Sequence, residues 1–327
     1  MSDSSLPSPS SAAPPETAAP LEPRDLVALA AALPSNVKFG TSTWACDGWA
    51  GDVYHRRYVG AQPLRRLEEY VRYPLFRTAG INSGFYDRPS EDVLVSYARV
   101  LPPGFACGIK VWDRITARRF IRDPRWGALS GRPNPDFLSP ELFKDAVLAP
   151  YARAFRRQTP YFVFQFQAMR GGDLPSPDVW AEQLNEFFTK IPQDFRYAVE
   201  LRNPQLFTAR HGEVLQAHRV AHVFNSWTDM PPIGAQLDAP WTLAAGFIFV
   251  RALLKPGRKY LAAVRAFEPY DRIREVLPDL RADLLRLMSI AVESKQEALI
   301  HVNNRAEGNA PGTIRAVAEA WLARSGG

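Results

Sequence analysis

The sequence predicts a single (β/α)8 (TIM) barrel that follows a disordered N-terminal tail. Strand-like and helix-like segments alternate from Val37 to the end of the chain, eight strand segments can be distinguished, and polar residues tend to come last in them. Alternation of strands with helices favours a parallel sheet. Eight repeats favour closure into a barrel, with an open doubly wound sheet as the alternative.

Each predicted strand is a short apolar run rich in Phe, Val and Ile, often with Gly or Pro nearby. The strands are Val37–Ser42, Thr78–Asn82, Phe105–Val111, Tyr161–Gln167, Arg196–Arg202, Val220–Asn225, Gly246–Arg251 and Ala298–Asn303.

Amphipathic segments predict helices in most of the gaps between the strands. These are Leu64–Arg72, Ser90–Val100, Ser139–Arg157, Pro177–Lys190, Ala209–Ala217, Asp271–Lys295 and Thr313–Arg324. A break near Pro278 is an alternative for the sixth. The Pro-rich segment Ser226–Trp241 predicts no clear helix.

The N-terminal segment Met1–Pro23 is rich in Ser, Pro and Ala, which predicts a disordered tail before a barrel domain at residues 24–327. The tail lacks the basic start and apolar middle of a signal peptide. No apolar run reaches the roughly 18 residues of a membrane helix. Cys46 and Cys107 form no CxxC motif, so we expect a soluble protein in the reducing cytoplasm.

The net charge of +6 is modest for 327 residues and is compatible with small anions or nucleic acid. One stretch is dense in arginine and is either a solvated basic loop or a phosphate-contacting patch. Its arginines are Arg114, Arg118, Arg119, Arg122, Arg125 and Arg132, with Trp112 and Trp126 nearby.

Alternation within the strands predicts where the polar residues lie. Successive side chains of a strand face opposite sides, so large apolar residues such as Ile109 share one face and Ala106, Gly108 and Lys110 share the other. Small residues early and polar residues late suit a barrel interior, whose C-terminal mouth carries the active site in this fold. The residues expected there are Ser42, Asn82, Lys110, Gln165, Glu200, Arg202, Asn225, Arg251 and Asn303. A satisfied polar plug without chemistry is the alternative.

Among these residues Glu200 is the only carboxylate, and we expect it to be ionised beside the cations. It would act as a general base or orient a hydroxyl. Lys110 would stabilise an oxyanion or form a Schiff base. Arg202 and Arg251 suit a carboxylate or phosphate, which guanidinium groups bind bidentately. A plain Glu–Lys or Glu–Arg ion pair is the alternative.

Metal and cofactor sites are not expected. The five histidines form no HxH or HExxH motif, and neither GxGxxG nor GxxxxGK[ST] follows a strand, so no metal, dinucleotide or P-loop site is predicted. The last loop, from Asn303 through Asn304 and Gly308 to Gly312, leads into a helix. It predicts a phosphate site at the helix N-terminus or an ordinary capped connection.

Aromatic residues follow the first two strands. Trp44, Trp49 and Tyr54 come after the first, and Phe85 and Tyr86 after the second. They would either wall a pocket and stack on a sugar or base, or pack in the core.

At these motifs the sequence resembles the YecE-like family, a domain of unknown function (number 72). The resemblance runs from about Val37 to Leu322. Its motifs are Gly40-Thr41-Ser42, Trp44, Trp49, Gly51, Tyr54, Ile81 to Tyr86, Pro89, Lys110, Ala198 to Arg202, Val250-Arg251, Asn303-Asn304, Gly308 and Ala310. The resemblance implies a TIM barrel and no established activity.

Two positions depart from the family pattern. Gly80 stands where the family usually has Glu, and Ala252-Leu253 stands where it often has His-Gly. The missing Glu argues against two-carboxylate chemistry such as glycoside hydrolysis.

The leading hypothesis is a metal-independent enzyme that acts on a small phosphorylated or carboxylated sugar-like compound. Glu200 and Lys110 would be catalytic, and Asn304 and Gly308 would join the other strand-end residues in binding. The alternatives are a nucleic-acid-binding or processing protein and a non-catalytic binding barrel. The sequence predicts no oligomeric state.

Overall fold

Eight parallel strands form a closed barrel, in which each strand pairs with the next and the last pairs with the first. The computed structural model describes residues 23–88 and 90–325. The strands are β1 (Val37–Thr41), β2 (Thr78–Ile81), β3 (Ala106–Lys110), β4 (Pro160–Gln165), β5 (Arg196–Glu200), β6 (Ala221–Asn225), β7 (Phe247–Ala252) and β8 (Glu297–Val302). The closure confirms the TIM barrel and excludes the open sheet.

Helices lie between the strands along the chain and surround the barrel. They are α1 (Pro23–Ala31), α2 (Pro63–Tyr70), α3 (Ser83–Tyr86), α4 (Glu91–Val100), α5 (Asp113–Thr116), α6 (Pro140–Leu142), α7 (Ala149–Ala154), α8 (Pro177–Thr189), α9 (Ala209–Ala217), α10 (Ile233–Leu237), α11 (Tyr260–Phe267), α12 (Pro278–Ser294) and α13 (Ala310–Ser325). A π-helical turn, Phe143–Leu148, joins α6 to α7.

The helices differ from the predictions in three places. The segment Asp271–Lys295 is helical only from Pro278, at the position of the break given as the alternative, because proline has no N–H to donate within a helix and suits its first turn. Helix α11 was missed. The Pro-rich segment Ser226–Trp241 contains α10, which begins directly after Pro232.

The predicted tail falls mostly on residues 1–22, which lie outside the described residues, so the tail and the domain at 24–327 stay predictions. Helix α1 begins at Pro23. Its Leu26 and Leu29 are buried in the main core, so this helix belongs to the barrel domain.

The strand faces alternate as predicted. Ile109 on β3 and Ile300 on β8 belong to the large core, whereas Ala106 and Leu299 belong to a separate cluster inside the barrel. The expectation that interior residues are small early in the strand holds for β3 but is wrong for β4 and β7, where Tyr161 on β4 and Phe247 and Phe249 on β7 fill the interior.

Glycine on β3 makes room for these large residues. A Cβ at Gly108 would lie 2.6 Å from the Phe249 ring and 2.6 Å from the His301 ring. Small side chains on one strand thus compensate for large ones on others, as close packing requires.

An ion network lines the interior at the N-terminal end of the strands. Glu297 forms ion pairs with Lys38 and with Arg196, whose Nη1 lies 2.7 Å from Glu297 Oε2. The Tyr161 hydroxyl also donates to Glu297. The charged groups at this end of the barrel therefore satisfy one another.

Candidate functional site at the barrel mouth

An ion cluster lies at the C-terminal ends of β4, β5 and β7. Glu200 is fully buried between Arg202 and Arg251 and forms an ion pair with each. The side-chain oxygen of Gln165 accepts hydrogen bonds from both guanidinium groups, at 3.1 Å from Arg202 and 2.9 Å from Arg251. The arginines are therefore held in fixed orientations, as a preformed site requires.

The charges of this cluster persist at neutral pH. Burial alone would raise the pKa of Glu200, but the guanidinium groups of Arg202 and Arg251 outweigh burial and lower it. Burial lowers the pKa of Arg202 to about 10, which still leaves the group protonated. Its guanidinium stacks 3.5 Å from the ring centroid of Trp227. Glu200 is thus an ionised anchor.

Lys110 ends β3 beside this cluster. Its Nζ lies 3.8 Å from the centroid of the Phe85 ring. Burial, and then the charge of Arg251, lower the pKa of Lys110 well below its usual value. Within residues 23–88 and 90–325, no acceptor or carboxylate lies within bonding distance of this amine. The environment therefore favours the neutral amine.

A cavity of about 400 Å³ opens above the cluster, and we call it the mouth. Five basic residues line it: Lys110, Arg170, Arg202, Arg251 and Arg305. Aromatic residues also contribute: Phe85, Tyr86, Trp227 and Tyr260. No carboxylate is among the described residues that line this cavity, so it suits an anion with an apolar or ring-shaped part.

A second cavity of about 410 Å³ adjoins the mouth, with Asn303 and Arg305 lining both. Asn82 and Ser42 line the second cavity, together with the carboxylate residues Asp47 and Glu268. The buried Ser42 Oγ has no hydrogen-bond partner among the described residues. This cavity offers hydroxyl and amide groups, which suit a polar neutral moiety.

The glycine that departs from the family pattern lies between the two cavities. Gly80, Lys110, Arg251 and His301 line a small cavity of about 10 Å³. A Cβ at Gly80 would lie 3.0 Å from the Ser42 carbonyl oxygen, so β1 approaches β2 closely here. No side chain at this position supplies a second carboxylate.

Most of the predicted strand-end residues meet here. Ser42, Asn82, Lys110, Gln165, Arg202, Arg251 and Asn303 line these cavities, and Glu200 lies directly beneath. Their convergence follows from the in-phase alternation of the strands.

Asn225 does not line the cavities. Its side-chain nitrogen donates to the carbonyls of Leu201 and Val223, and its oxygen accepts from the Trp227 N–H. It therefore positions the loop that carries Trp227.

Asn304 and Gly308 belong to the last loop. The Asn304 oxygen accepts from Trp49 Nε1 at 3.1 Å and from the Ala310 N–H at 2.9 Å, so Asn304 ties the loop to α13. Gly308 adopts φ +110°, where a Cβ would lie 2.8 Å from the Arg272 carbonyl oxygen.

The N-terminus of α13 favours the ordinary capped connection. The Gly312 N–H donates to Asn309 Oδ1 at 2.6 Å, and the Thr313 N–H donates to the Asn309 carbonyl. These amides therefore have partners within the loop.

The arginine stretch is partly neutralised by carboxylates. Arg114 pairs with Asp136 and Arg119 with Asp173, each at 2.6 Å, and Arg125 pairs with buried Asp113. A groove of about 460 Å³ nevertheless runs beside the mouth and shares Gln167, Ala168 and Arg170 with it. Arg118 and Arg122 line the groove as well.

The aromatic residues divide between the two interpretations. Trp49 and Tyr54 are buried in the core, and the Tyr54 hydroxyl donates to the Trp44 carbonyl. Trp49 also lines the second cavity. Phe85 and exposed Tyr86 line the mouth.

Sequence reasoning missed Arg170, Trp227, Tyr260 and Arg305. Each lies in or just beyond a loop that follows a strand, where no periodicity fixes a side-chain direction. The rule that βα loops build the mouth of this fold could have marked them as candidates.

The strand histidines serve the packing. Burial lowers the pKa of His222 to about 4 and that of His301 to about 3, and they pair with Gln236 and Thr78. No group of three or more His, Cys, Asp or Glu suited to a metal occurs in the described ranges 23–88 and 90–325.

The fold and the strand-end cluster define a TIM-barrel protein with a cationic mouth. The chain belongs to the family described as "Protein of unknown function DUF72", which it matches over residues 38–326. The sequence expectation of this family is therefore confirmed.

Solved structures agree with the fold. A DUF72 family protein from Enterococcus faecalis (EF0366) is 13% identical, with a TM-score of 0.56, and covers 89% of this chain and 97% of its own. One from Thermotoga maritima (TM1631) is 17% identical, with a TM-score of 0.56, and covers 89% and 99%. Comparison with curated proteins found no match. None of the helices in the described part of the chain is long and apolar enough to cross a membrane.

Proposed function

We propose that this protein is a metal-independent enzyme that acts on a small phosphorylated or carboxylated, sugar-like compound at the barrel mouth. One observation carries the proposal: four arginines and the amine of Lys110 line the mouth, and no carboxylate is among its described lining residues. Such a surface attracts anions and discriminates against cations.

Each group has a proposed role. Arg202 and Arg251 present guanidinium forks that Glu200 and Gln165 hold in place, and they bind the anionic group. Asn82 and Asn303 orient hydroxyl groups in the second cavity. Lys110, as a neutral amine, donates a hydrogen bond to the developing negative charge. The acid–base role expected of Glu200 stays a prediction, and its lowered pKa and two ion pairs favour a positioning role instead.

Paired ligands test the binding. In calorimetric titrations, glucose 6-phosphate should bind to the protein and glucose should not. Arg305→Gln should weaken this binding about tenfold or more, because a charge-assisted hydrogen bond contributes roughly 1.5–3 kcal/mol. Arg99→Gln, an exposed site on α4, is the matched control. Equal binding of both sugars would contradict the proposal, as would an unchanged affinity of the Arg305 variant.

A turnover measurement distinguishes an enzyme from a non-catalytic binding barrel. The second alternative is favoured by Gly80, which stands where the family usually has Glu. Incubation with a metabolite extract, followed by mass spectrometry, should show a phosphorylated or carboxylated compound that is consumed by the wild type and spared by Lys110→Met. Binding without any consumption would support the non-catalytic alternative.

Nucleic-acid binding is the second candidate, favoured by the arginine-lined groove that continues from the mouth. It predicts affinity for single-stranded DNA that falls steeply with salt and is weakened by Arg122→Gln. No gel shift at low salt would eliminate it.

A further inference from the structure

The interior of the barrel holds two lysines in opposite environments. Lys38, at the N-terminal end of the strands, forms an ion pair with Glu297. Lys110, at the C-terminal end, has no such partner within the described residues and lies at the floor of the mouth. A lysine is thus paired with a carboxylate at one end of the barrel, whereas the lysine at the other end is free to contact a ligand.

The charged groups that face Lys110 do not provide a partner. Arg251 and Arg202 are cations, and Glu200 is already paired with both. The carboxylate of Asp113 is bound by Arg125. The Phe85 ring covers another side of the amine. A protonated ammonium gains only the cation–π contact with this ring and no countercharge, whereas a neutral amine keeps its lone pair free for reaction.

We infer that Lys110 forms an imine with the carbonyl carbon of an anionic aldehyde or ketone held in the mouth. The inference rests on the proposed function, because the anionic group of the ligand must be bound by the arginines around the amine. It narrows the substrate class to carbonyl compounds that carry a phosphate or carboxylate near the carbonyl group.

The step balances without a further reactant. The neutral Nζ adds to the carbonyl carbon, which forms a C–N bond and breaks the C=O π bond. One amine proton passes to the oxygen and gives a carbinolamine. The C–O bond of the carbinolamine then breaks, its hydroxyl group leaves as water with the second amine proton, and the C=N bond forms. Arg251, beside the amine, stabilises the negative charge on the oxygen.

Reductive trapping tests the inference. Glycolaldehyde phosphate with sodium cyanoborohydride at pH 7 should give one stable adduct, which peptide mapping places on Lys110. The adduct should form about tenfold or more faster than at exposed Lys255, because each unit of pKa depression raises the neutral fraction about tenfold. Inorganic phosphate should protect Lys110, and uncharged glycolaldehyde, which the arginines do not bind, should label Lys110 more slowly than glycolaldehyde phosphate does.

Two variants serve as controls. Lys110→Arg should abolish the selective adduct, and Lys255→Arg should leave it intact. Adducts spread over exposed lysines would overturn the inference, as would an unlabelled Lys110 in the wild type. Calorimetry with inorganic phosphate on the same samples distinguishes failure of the imine inference from failure of the proposed function. Binding without an adduct overturns the imine alone, whereas neither binding nor adduct overturns the proposed function as well.

Discussion

At the scale of the residue, strand periodicity predicted which strand-end side chains converge at the mouth, but it did not predict the loop residues that line it. Lys110, Glu200 and Arg251 could be placed because a strand fixes the face of every second side chain. Asn304 follows β8 by two residues, where that constraint has ended; it lines the second cavity, but its side-chain oxygen is occupied by Trp49 Nε1. Arg305 was not predicted as a site residue, because it also lies beyond the end of β8, although it lines both cavities.

Glu200→Gln is expected to destabilise the fold by about 3–5 kcal/mol, because it leaves two buried guanidinium groups without a countercharge. Glu275→Gln is the matched control. Its partly exposed carboxylate also pairs with two cations, Lys255 and Arg258, and its loss should cost about 1 kcal/mol or less. Urea unfolding at pH 7 measures both. Equal losses would show that the cluster does not depend on the buried carboxylate.

At the scale of the element, apolar runs located all eight strands. Helix boundaries were harder to predict, because they depend on residues such as proline that do not contribute to hydrophobic periodicity. Proline set the start of α12, and α11 (Tyr260–Phe267) was not predicted. Strand pairing depends on small residues as well. Gly40 on β1 pairs with Thr78 on β2, and a Cβ there would overlap the Thr78 carbonyl oxygen.

Gly40→Ala should therefore destabilise the protein by about 3 kcal/mol, since the backbone of β2 cannot move aside cheaply. Gly172→Ala is the control, because a Cβ at Gly172 meets nothing within 4 Å, and its effect should stay within about 0.5 kcal/mol. Thermal and urea unfolding check the pair. A Gly40 variant as stable as the Gly172 variant would contradict the close approach of β1 and β2.

At the scale of the whole molecule, the buried histidines predict how stability depends on pH. Burial lowers the pKa of His211 to about 3, of His222 to about 4 and of His301 to about 3. Unfolded histidine binds a proton near pH 6.5, so the unfolded state takes up more protons as the pH falls. Stability contributed by the neutral rings is present above pH 6.5 and is lost below it.

The free energy of unfolding should therefore fall by about 4 kcal/mol for each unit that the pH is lowered near pH 5, because unfolding takes up three protons. His301→Gln should reduce this slope to about 3 kcal/mol per unit. Urea unfolding at intervals between pH 4.5 and 7.5 gives the slopes. A flat profile in the wild type, or an unchanged slope in the variant, would mean that the rings are not neutral in the fold.

The closed barrel brings cations from distant parts of the chain to one mouth, and an anomalous scatterer tests this convergence most directly. A crystal soaked in tungstate should show its strongest anomalous peak among Arg202, Arg251 and Arg305, and Arg305→Gln should weaken that peak. A mouth empty of tungstate, with peaks instead at the arginines outside it, would contradict the central claim.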